Sequence, residues 1–254
     1  MWHLASLDAS TVALVWCAAF AWVIDVRLPW WVLVLLSLGV WAVYVADRLL
    51  DVRTGMQSSA VEKLRERHFF HWHHRRILAP AAIACAFIAA WIVFQRMPST
   101  TKAHDSLLAA ASMLYFTRVH SGRKLLPMLS KEFLVGVLFT FGCALPAISR
   151  AHLSLAEWPP LIAIAFFALL AWLNCYAIDR WESRGLNPSL CQIAFPASAF
   201  GAVALICSSV LLESHPRCAS LIFCGAISAL LLAALDRIRN SVTPITQQIG
   251  RAHV

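Results

Sequence analysis

Long stretches of apolar residues recur along the whole chain and are separated by short polar segments. Because a helix of about 20 apolar residues crosses the hydrocarbon core of a bilayer, each stretch predicts a transmembrane helix. The predicted spans are residues 9–24, 28–47, 77–95, 104–118, 131–149, 158–178, 190–212 and 218–235. Since only residues 52–76 form a long connection, the pattern predicts an all-α, polytopic transmembrane helical bundle of about eight spans joined as hairpins.

The composition supports a membrane protein and excludes several other classes. Of 254 residues, 60% are hydrophobic and 13% are charged, with a mean hydropathy of +0.70. A soluble domain has roughly 45–50% apolar and about 25% charged residues. These values exclude a soluble enzyme and a disordered chain. The eight cysteines are scattered without a Cys-x-x-Cys pair, which excludes a disulfide scaffold. We therefore expect residues 1–254 to form a single transmembrane domain.

The basic residues predict the orientation of the chain in the membrane. An even number of spans places both termini on one side, together with the His-rich loop 52–76 and the tail 236–254. That side holds sixteen of the 21 lysines and arginines, and the other side holds five. By the positive-inside rule it is cytoplasmic. The net charge of +8 is thus explained by the orientation of the protein in the membrane and gives no reason to expect nucleic-acid binding. We expect an integral protein of the bacterial inner (plasma) membrane, surrounded by lipids.

Two short acidic segments share one pattern at the predicted cytoplasmic ends of spans 2 and 6. Each reads Tyr-x-x-Asp-Arg followed by a second acid: Tyr44, Asp47, Arg48 and Asp51 in the first, and Tyr176, Asp179, Arg180 and Glu182 in the second. Spacings of four and three residues put each acidic pair on one face of a helix. Acids near a membrane are costly and are therefore functional candidates. Carboxylates of this kind hold Mg²⁺ beside a substrate diphosphate, which nearby cations neutralise.

An ion pair at the membrane interface, with the arginine reaching toward the headgroups, is the alternative interpretation of an Asp-Arg dipeptide at a helix end. A third such dipeptide, Asp236-Arg237, ends span 8 without a second acid and is interpreted in this way.

The two acidic segments resemble the aspartate-rich motifs of the UbiA superfamily of intramembrane prenyltransferases. Asp47 and Asp51 match the last two aspartates of the first family motif, and residues 176–180 resemble the opening of the second. Between them, a family pattern of Tyr, Lys, Gly and Phe is matched by Tyr115, Lys124 or Lys131, Gly136 and Phe139.

This resemblance implies a UbiA-like fold and a Mg²⁺-dependent prenyltransferase with its active site at the cytoplasmic mouth. The enzyme would move an isoprenyl group from an allylic diphosphate to a small aromatic or lipophilic acceptor. The implied catalytic residues and Mg²⁺ ligands are Asp47, Asp51, Asp179 and Glu182. The expected substrate-binding residues are Tyr44, Arg48, Arg53, Tyr115, Lys124, Lys131, Asn174, Tyr176 and Arg180.

Departures from the family pattern motivate a second hypothesis. Val43 and Tyr44 occupy the place of the family's first Asn-Asp pair, and Trp181 and Ser183 replace further acids. Fewer carboxylates bind a divalent ion more weakly. The alternative is a non-catalytic UbiA-like protein that binds an isoprenoid, a lipid or a pigment, or that serves as a subunit. An ion-relaying transporter and a His-liganded metalloenzyme are further alternatives.

A cluster of histidines in the 52–76 loop is the other unusual feature. His68 and His71 would share one helical face that His74 extends, flanked by aromatic and basic residues. Three interpretations remain: an amphipathic helix on an anionic lipid surface, a cover over the acidic mouth, or a transition-metal centre.

Overall fold

The computed structural model describes residues 4–57, 66–120, 130–151, 158–183 and 193–251. Within these ranges the chain is helical and contains no strand. The helices are α1 (Leu7–Ile24), α2 (Trp30–Gln57), α3 (Glu66–His73), α4 (Arg75–Arg96), α5 (Ser99–His120), α6 (Lys131–Ala151), α7 (Trp158–Ser183), α8 (Ala194–Leu211) and α9 (Pro216–Arg251). The prediction of an all-α protein is confirmed.

Seven of these helices are long and apolar enough to cross a membrane: α1, Trp30–Arg53 of α2, α4, α6, Trp158–Trp181 of α7, α8, and Pro216–Arg239 of α9. The chain is therefore a polytopic helical membrane protein. The predicted span 104–118 lies within α5, which is not among the seven. Polar residues near both ends of α5, such as Lys102 and Arg118, lower its mean hydropathy. The described part of the 52–76 segment consists of the end of α2, helix α3 and the start of α4.

The chain divides into two compact units. Unit 1 comprises Met1–Lys131 and Phe141–Leu153, and unit 2 comprises Glu132–Thr140 and Ser154–Val254. In unit 1, α2 is the central helix and packs against α1, α3, α4 and α5. In unit 2, α9 packs along α8 and also contacts α7.

The hairpin between α1 and α2 begins with a left-handed residue. Asp25 has φ 60° and ψ 39°, and its backbone N–H donates to the carbonyl of Trp22 at 3.3 Å. The N–H of Val26 donates to the carbonyl of Ala21 at 2.9 Å. This Schellman arrangement satisfies carbonyls that the end of α1 would otherwise leave open, and an aspartate tolerates the left-handed conformation. The chain can then turn back into α2.

Large apolar side chains point outward while small residues fill the helix contacts. On α4, Ile83, Phe87, Trp91 and Phe94 are exposed along one side. Between α8 and α9 the buried positions are mostly small, among them Ala197, Ala204, Ala219, Ala226 and Ala229. Small residues allow helix backbones to approach closely when lipid surrounds the protein. The distribution therefore suits a bilayer.

Candidate functional site at the two acidic motifs

The first acidic motif lies on α2, which has 28 residues and is about 42 Å long. Nη1 of Arg48 is 3.6 Å from Oδ2 of Asp47 and 3.8 Å from Oδ2 of Asp51. All three side chains are partly buried. The structure thus places the two carboxylates on one side of α2, as their spacing predicts. The shared guanidinium offsets their mutual repulsion.

Helix α3 covers this motif with a buried histidine. Nε2 of His68 is 3.5 Å from Oδ2 of Asp51 and 3.5 Å from Nη1 of Arg48. A ring without a proton on Nε2 accepts a hydrogen bond from the guanidinium, whereas a ring with a proton on Nε2 donates to the carboxylate. His68 therefore completes a polar group of two acids, one arginine and one histidine. It is a site residue that was not among the predicted substrate contacts.

A second buried histidine ties α3 to the start of the chain. His71 is completely buried, and its Nε2 lies 3.4 Å from Oγ of Ser6. Nearby, Nε1 of Trp41 donates to the carbonyl of Ala5 at 2.9 Å. The prediction that His68 and His71 share a helical face is confirmed, and this face is directed into unit 1.

The opposite side of α3 and the start of α4 carry aromatic and basic groups. Phe69, His73, Arg75 and Arg76 are exposed, and the guanidinium of Arg75 lies 4.5 Å from the ring centre of Trp72. Of the two sides of α3, only this one has the exposed aromatic and basic residues expected of a helix that faces lipid. Within the described ranges, no three His, Cys, Asp or Glu side chains are grouped so as to hold a metal ion.

The second acidic motif lies at the end of α7 and is built around aromatic rings. The rings of Trp172 and Tyr176 are 5.9 Å apart, and Cζ of Arg180 lies 4.9 Å from the ring centre of Tyr176. Because these residues follow at intervals of four, they form a ladder along one side of the helix. The neighbouring Asp179 is exposed, as is Asn174 one turn earlier.

A glycine allows α6 to approach this ladder. A Cβ atom on Gly136 would lie 2.7 Å from the backbone nitrogen and 2.9 Å from Cα of Trp172. Contacts this short with backbone atoms leave room only for glycine. One turn later, Phe139 packs its ring 6.2 Å from that of Phe167 on α7. Gly136 and Phe139, which both match the family pattern, thus help to pack α6 against α7 beside the second motif.

The structure overturns the interpretation of Asp236. Its side chain is completely buried, so an interfacial ion pair with Arg237 is the wrong description. Oδ1 accepts a hydrogen bond from Nε1 of Trp181 at 2.8 Å, and Oδ2 accepts from the backbone N–H groups of Ile193 and Ala194 at 3.0 Å each. The register could have revealed this burial, because Asp236 continues the buried positions Ala229, Leu232 and Ala233.

The remaining predicted site residues are distributed over both units. Tyr44 is half-buried on α2, and Arg53 is exposed near the end of that helix. Lys131, exposed at the start of α6, lies within electrostatic reach of Asp51. Tyr115 and Glu182 lie in α5 and α7, and their side-chain positions are outside the description, as is Lys124 altogether.

No protein-family model, curated protein or solved structure matches the chain. The assignment to the UbiA superfamily therefore rests on the residues quoted above and stays a prediction.

Proposed function

We propose that this protein is a UbiA-like prenyltransferase that moves an isoprenyl group from an allylic diphosphate to a small aromatic or lipophilic acceptor. The observation that carries the proposal is the repeated Tyr-x-x-Asp-Arg pattern at the polar ends of α2 and α7, two long apolar helices. Each copy combines carboxylate, guanidinium and aromatic groups. These are the groups needed to bind a substrate with a diphosphate head and an apolar tail.

The proposal includes eight membrane crossings, with both termini in the cytoplasm of a bacterial cell. α5 has 22 residues and is about 33 Å long, which matches a hydrocarbon core of about 30 Å. With α5 as a crossing, the basic residues divide sixteen to five. Without it, every later segment changes sides and the division becomes nine to twelve. The positive-inside rule therefore favours eight crossings, which also put the ends of α2 and α7 on the same side.

The proposed Mg²⁺ ligands are Asp47, Asp51, Asp179 and Glu182. Carboxylate oxygens are suitable donors for this ion, and the two described acids of the first motif are partly exposed on one side of α2. Arg48 now shares both carboxylates, so it must turn away before they can bind a metal. A bound Mg²⁺ would supply positive charge that stabilises the departing diphosphate.

The chain's own side chains have two tasks in this proposal. Arg48, once turned from its carboxylates, can bind the diphosphate with two parallel hydrogen bonds, assisted by the exposed Arg53 and Lys131. The ring face of Tyr176, which holds the Arg180 guanidinium in this structure, can stabilise an allylic cation once Arg180 has turned to the diphosphate. The carbon–oxygen bond to the diphosphate breaks, a bond from that carbon to the acceptor forms, and the acceptor releases a proton to water.

The test is transfer from labelled farnesyl or geranylgeranyl diphosphate to a panel of aromatic acceptors in the presence of Mg²⁺. Asp47→Asn and Asp179→Asn should each reduce transfer by roughly 100-fold, because each removes a negative ligand at the site of charge development. Glu213→Gln, at an exposed acid beyond α8, is the matched control and should keep wild-type activity. Equal activity in all four proteins, or no transfer together with no diphosphate binding, contradicts the proposal.

A specific observation favours a second candidate, a non-catalytic isoprenoid-binding protein. Arg48 and His68 provide polar contacts for the acids of the first motif, so these acids have a structural role of their own. Such a protein would bind an isoprenoid equally well with Mg²⁺ and with a chelator, and it would show no turnover. Measured turnover excludes this candidate.

A further inference from the structure

Asp236 joins three helices of unit 2 through one buried carboxylate. Oδ1 accepts from the indole N–H of Trp181 near the end of α7, and Oδ2 accepts from the backbone N–H groups of Ile193 and Ala194 where α8 begins. These hydrogen bonds measure 2.8–3.0 Å. A buried carboxylate at the end of a membrane-spanning helix is costly unless hydrogen bonds satisfy it. Here three donors do so, and two belong to the positive end of α8.

Trp181 is well placed to transmit this constraint to the second motif. Its side chain packs against a buried cluster formed by Leu173, Ala177, Ile193, Ala197, Leu232 and Ala233. The Arg239 guanidinium lies 5.6 Å from the ring centre of Trp181. The indole is therefore held by its N–H, by its faces and by apolar contacts.

Helix geometry connects the direction of Trp181 with that of the acid two residues earlier. Successive residues of an α-helix are rotated by about 100°, so Asp179 points about 160° away from Trp181. Holding Trp181 against the core consequently directs Asp179 outward, and Asp179 is indeed exposed. Arg180, between them, stacks on Tyr176.

We propose that Asp236 is a positioning residue for the second acidic motif. By holding Trp181, it sets the rotation of the last turn of α7 and thereby the direction of Asp179 and Arg180. This inference rests on the proposed function, because it assigns these two side chains to a substrate. If Asp236 had only a structural role, it would join α8 and α9 without affecting the end of α7.

Two single substitutions separate these roles. Trp181→Phe removes the indole N–H but keeps an aromatic ring in the core, so the link from Asp236 to α7 is lost. Ser208→Ala removes a buried hydrogen bond of 2.8 Å from Oγ of Ser208 to the carbonyl of Ala219, which joins α8 and α9 far along the chain from the motif. Each variant loses one side-chain hydrogen bond of 2.8 Å, which makes Ser208→Ala the control for the loss of such a bond elsewhere in unit 2. Thermal unfolding of both proteins verifies that they fold.

Hydrogen–deuterium exchange, read by mass spectrometry, tests the positioning without any need for catalysis. Losing a hydrogen bond to a charged group should make local opening about tenfold more frequent. We expect about tenfold faster exchange of the amides at residues 176–181 in Trp181→Phe, and wild-type exchange there in Ser208→Ala. Asp236→Asn should accelerate exchange both there and at the start of α8. Equal exchange at the end of α7 in Trp181→Phe and Ser208→Ala overturns the proposal.

Steady-state kinetics with farnesyl diphosphate provide the second measurement. Trp181→Phe should lower kcat/KM about tenfold, mainly through a higher KM for the diphosphate, while Ser208→Ala keeps the wild-type values. Equal kinetic values in the two variants overturn the positioning role even if the wild type is active. A wild type without transfer contradicts the proposed function instead, and the exchange data still decide whether Asp236 positions the end of α7.

Discussion

The two acidic motifs begin with the same Tyr-x-x-Asp-Arg pattern but have different surroundings. In the first, Arg48 contacts two carboxylates, and α3 covers them with the buried His68. In the second, Arg180 stacks on a tyrosine ring beside an exposed aspartate. The difference shows that a repeated sequence pattern does not imply a repeated site. Each arginine contacts groups on its own helix, but Arg48 turns to carboxylates and Arg180 to an aromatic ring.

This comparison suggests a division of work between the motifs. In the first, Arg48 contacts both carboxylates, and in the proposed function it binds the diphosphate once it has turned away from them. The second presents an aromatic surface, supported from behind by Asp236 through Trp181, which suits it to a developing cation. The substitutions below change one motif or its packing at a time and leave the other motif as an internal reference.

The largest expected effect concerns the sides of the membrane on which the motifs lie. If α5 crosses the bilayer, fusions to green fluorescent protein and to alkaline phosphatase should give opposite results after residue 98 and after residue 120. Phosphatase should be active only at the first position, and fluorescence should appear only at the second. The same compartment at both positions would place the two motifs on opposite sides and would break the proposed shared function.

Replacing Gly136 should destabilise the packing that supports the second motif. In Gly136→Ala the new methyl group would meet backbone atoms of Trp172 at 2.7–2.9 Å, which α6 can relieve only by moving. We expect a loss of about 1–3 kcal/mol, measured as a lower midpoint of unfolding in detergent.

The matched control for this change is Gly142→Ala on the same helix, where a Cβ atom meets nothing within 4 Å. Alanine is the better helix former there, so stability should stay equal or rise by about 0.5–1 kcal/mol. A similar loss in both variants would mean that the contact with Trp172 is unimportant.

The two arginines should differ in their contribution to stability. Arg48→Gln leaves Asp47 and Asp51 without their shared cation and should cost about 1–2 kcal/mol, because the two partly buried carboxylates then repel one another without compensation. Arg180→Gln removes a cation–π contact and should cost about 0.5–1 kcal/mol. Thermal unfolding without added metal measures both values. The reverse order would show that the contacts of Arg48 with two carboxylates stabilise the protein less than the contact of Arg180 with Tyr176.

The smallest expected effect distinguishes the two sides of α3. His68→Ala removes a buried ring from Asp51 and Arg48 and should lower stability by about 1 kcal/mol. His73→Ala, at an exposed position two residues beyond His71, should change stability by less than about 0.5 kcal/mol. Equal effects in a thermal scan would contradict the close contact between α3 and the first motif.

Much of the helical architecture could be predicted because it depends on local composition. Most predicted spans coincide with long apolar helices, and the spacing of His68 and His71 correctly predicts a shared face. Residues 104–118 were harder to interpret because their hydropathy falls between that of a span and that of a surface helix. Whether such a segment crosses the membrane depends on the helices that surround it, which its own composition does not reveal.

The candidate site could be predicted only in part. The register of Asp47 and Asp51 on α2 follows from helix periodicity alone. Whether Arg48 contacts a carboxylate or an aromatic ring does not, because both kinds of partner lie within reach along the helix. The hydrogen-bond donors to Asp236 could not be predicted for a different reason, because Trp181, Ile193 and Ala194 lie more than 40 residues away in the chain.

By itself, the sequence determined that this protein is helical, that it belongs in a membrane and that its scarce acids cluster in two similar motifs. These properties follow from hydropathy and helix periodicity, which act over one or two turns. Only the tertiary structure decided that His68 covers the first motif and that Asp236 holds the second through Trp181. Hydrogen bonds and ion pairs act over a few ångströms, so their partners are selected by the packing of helices that are distant in the chain.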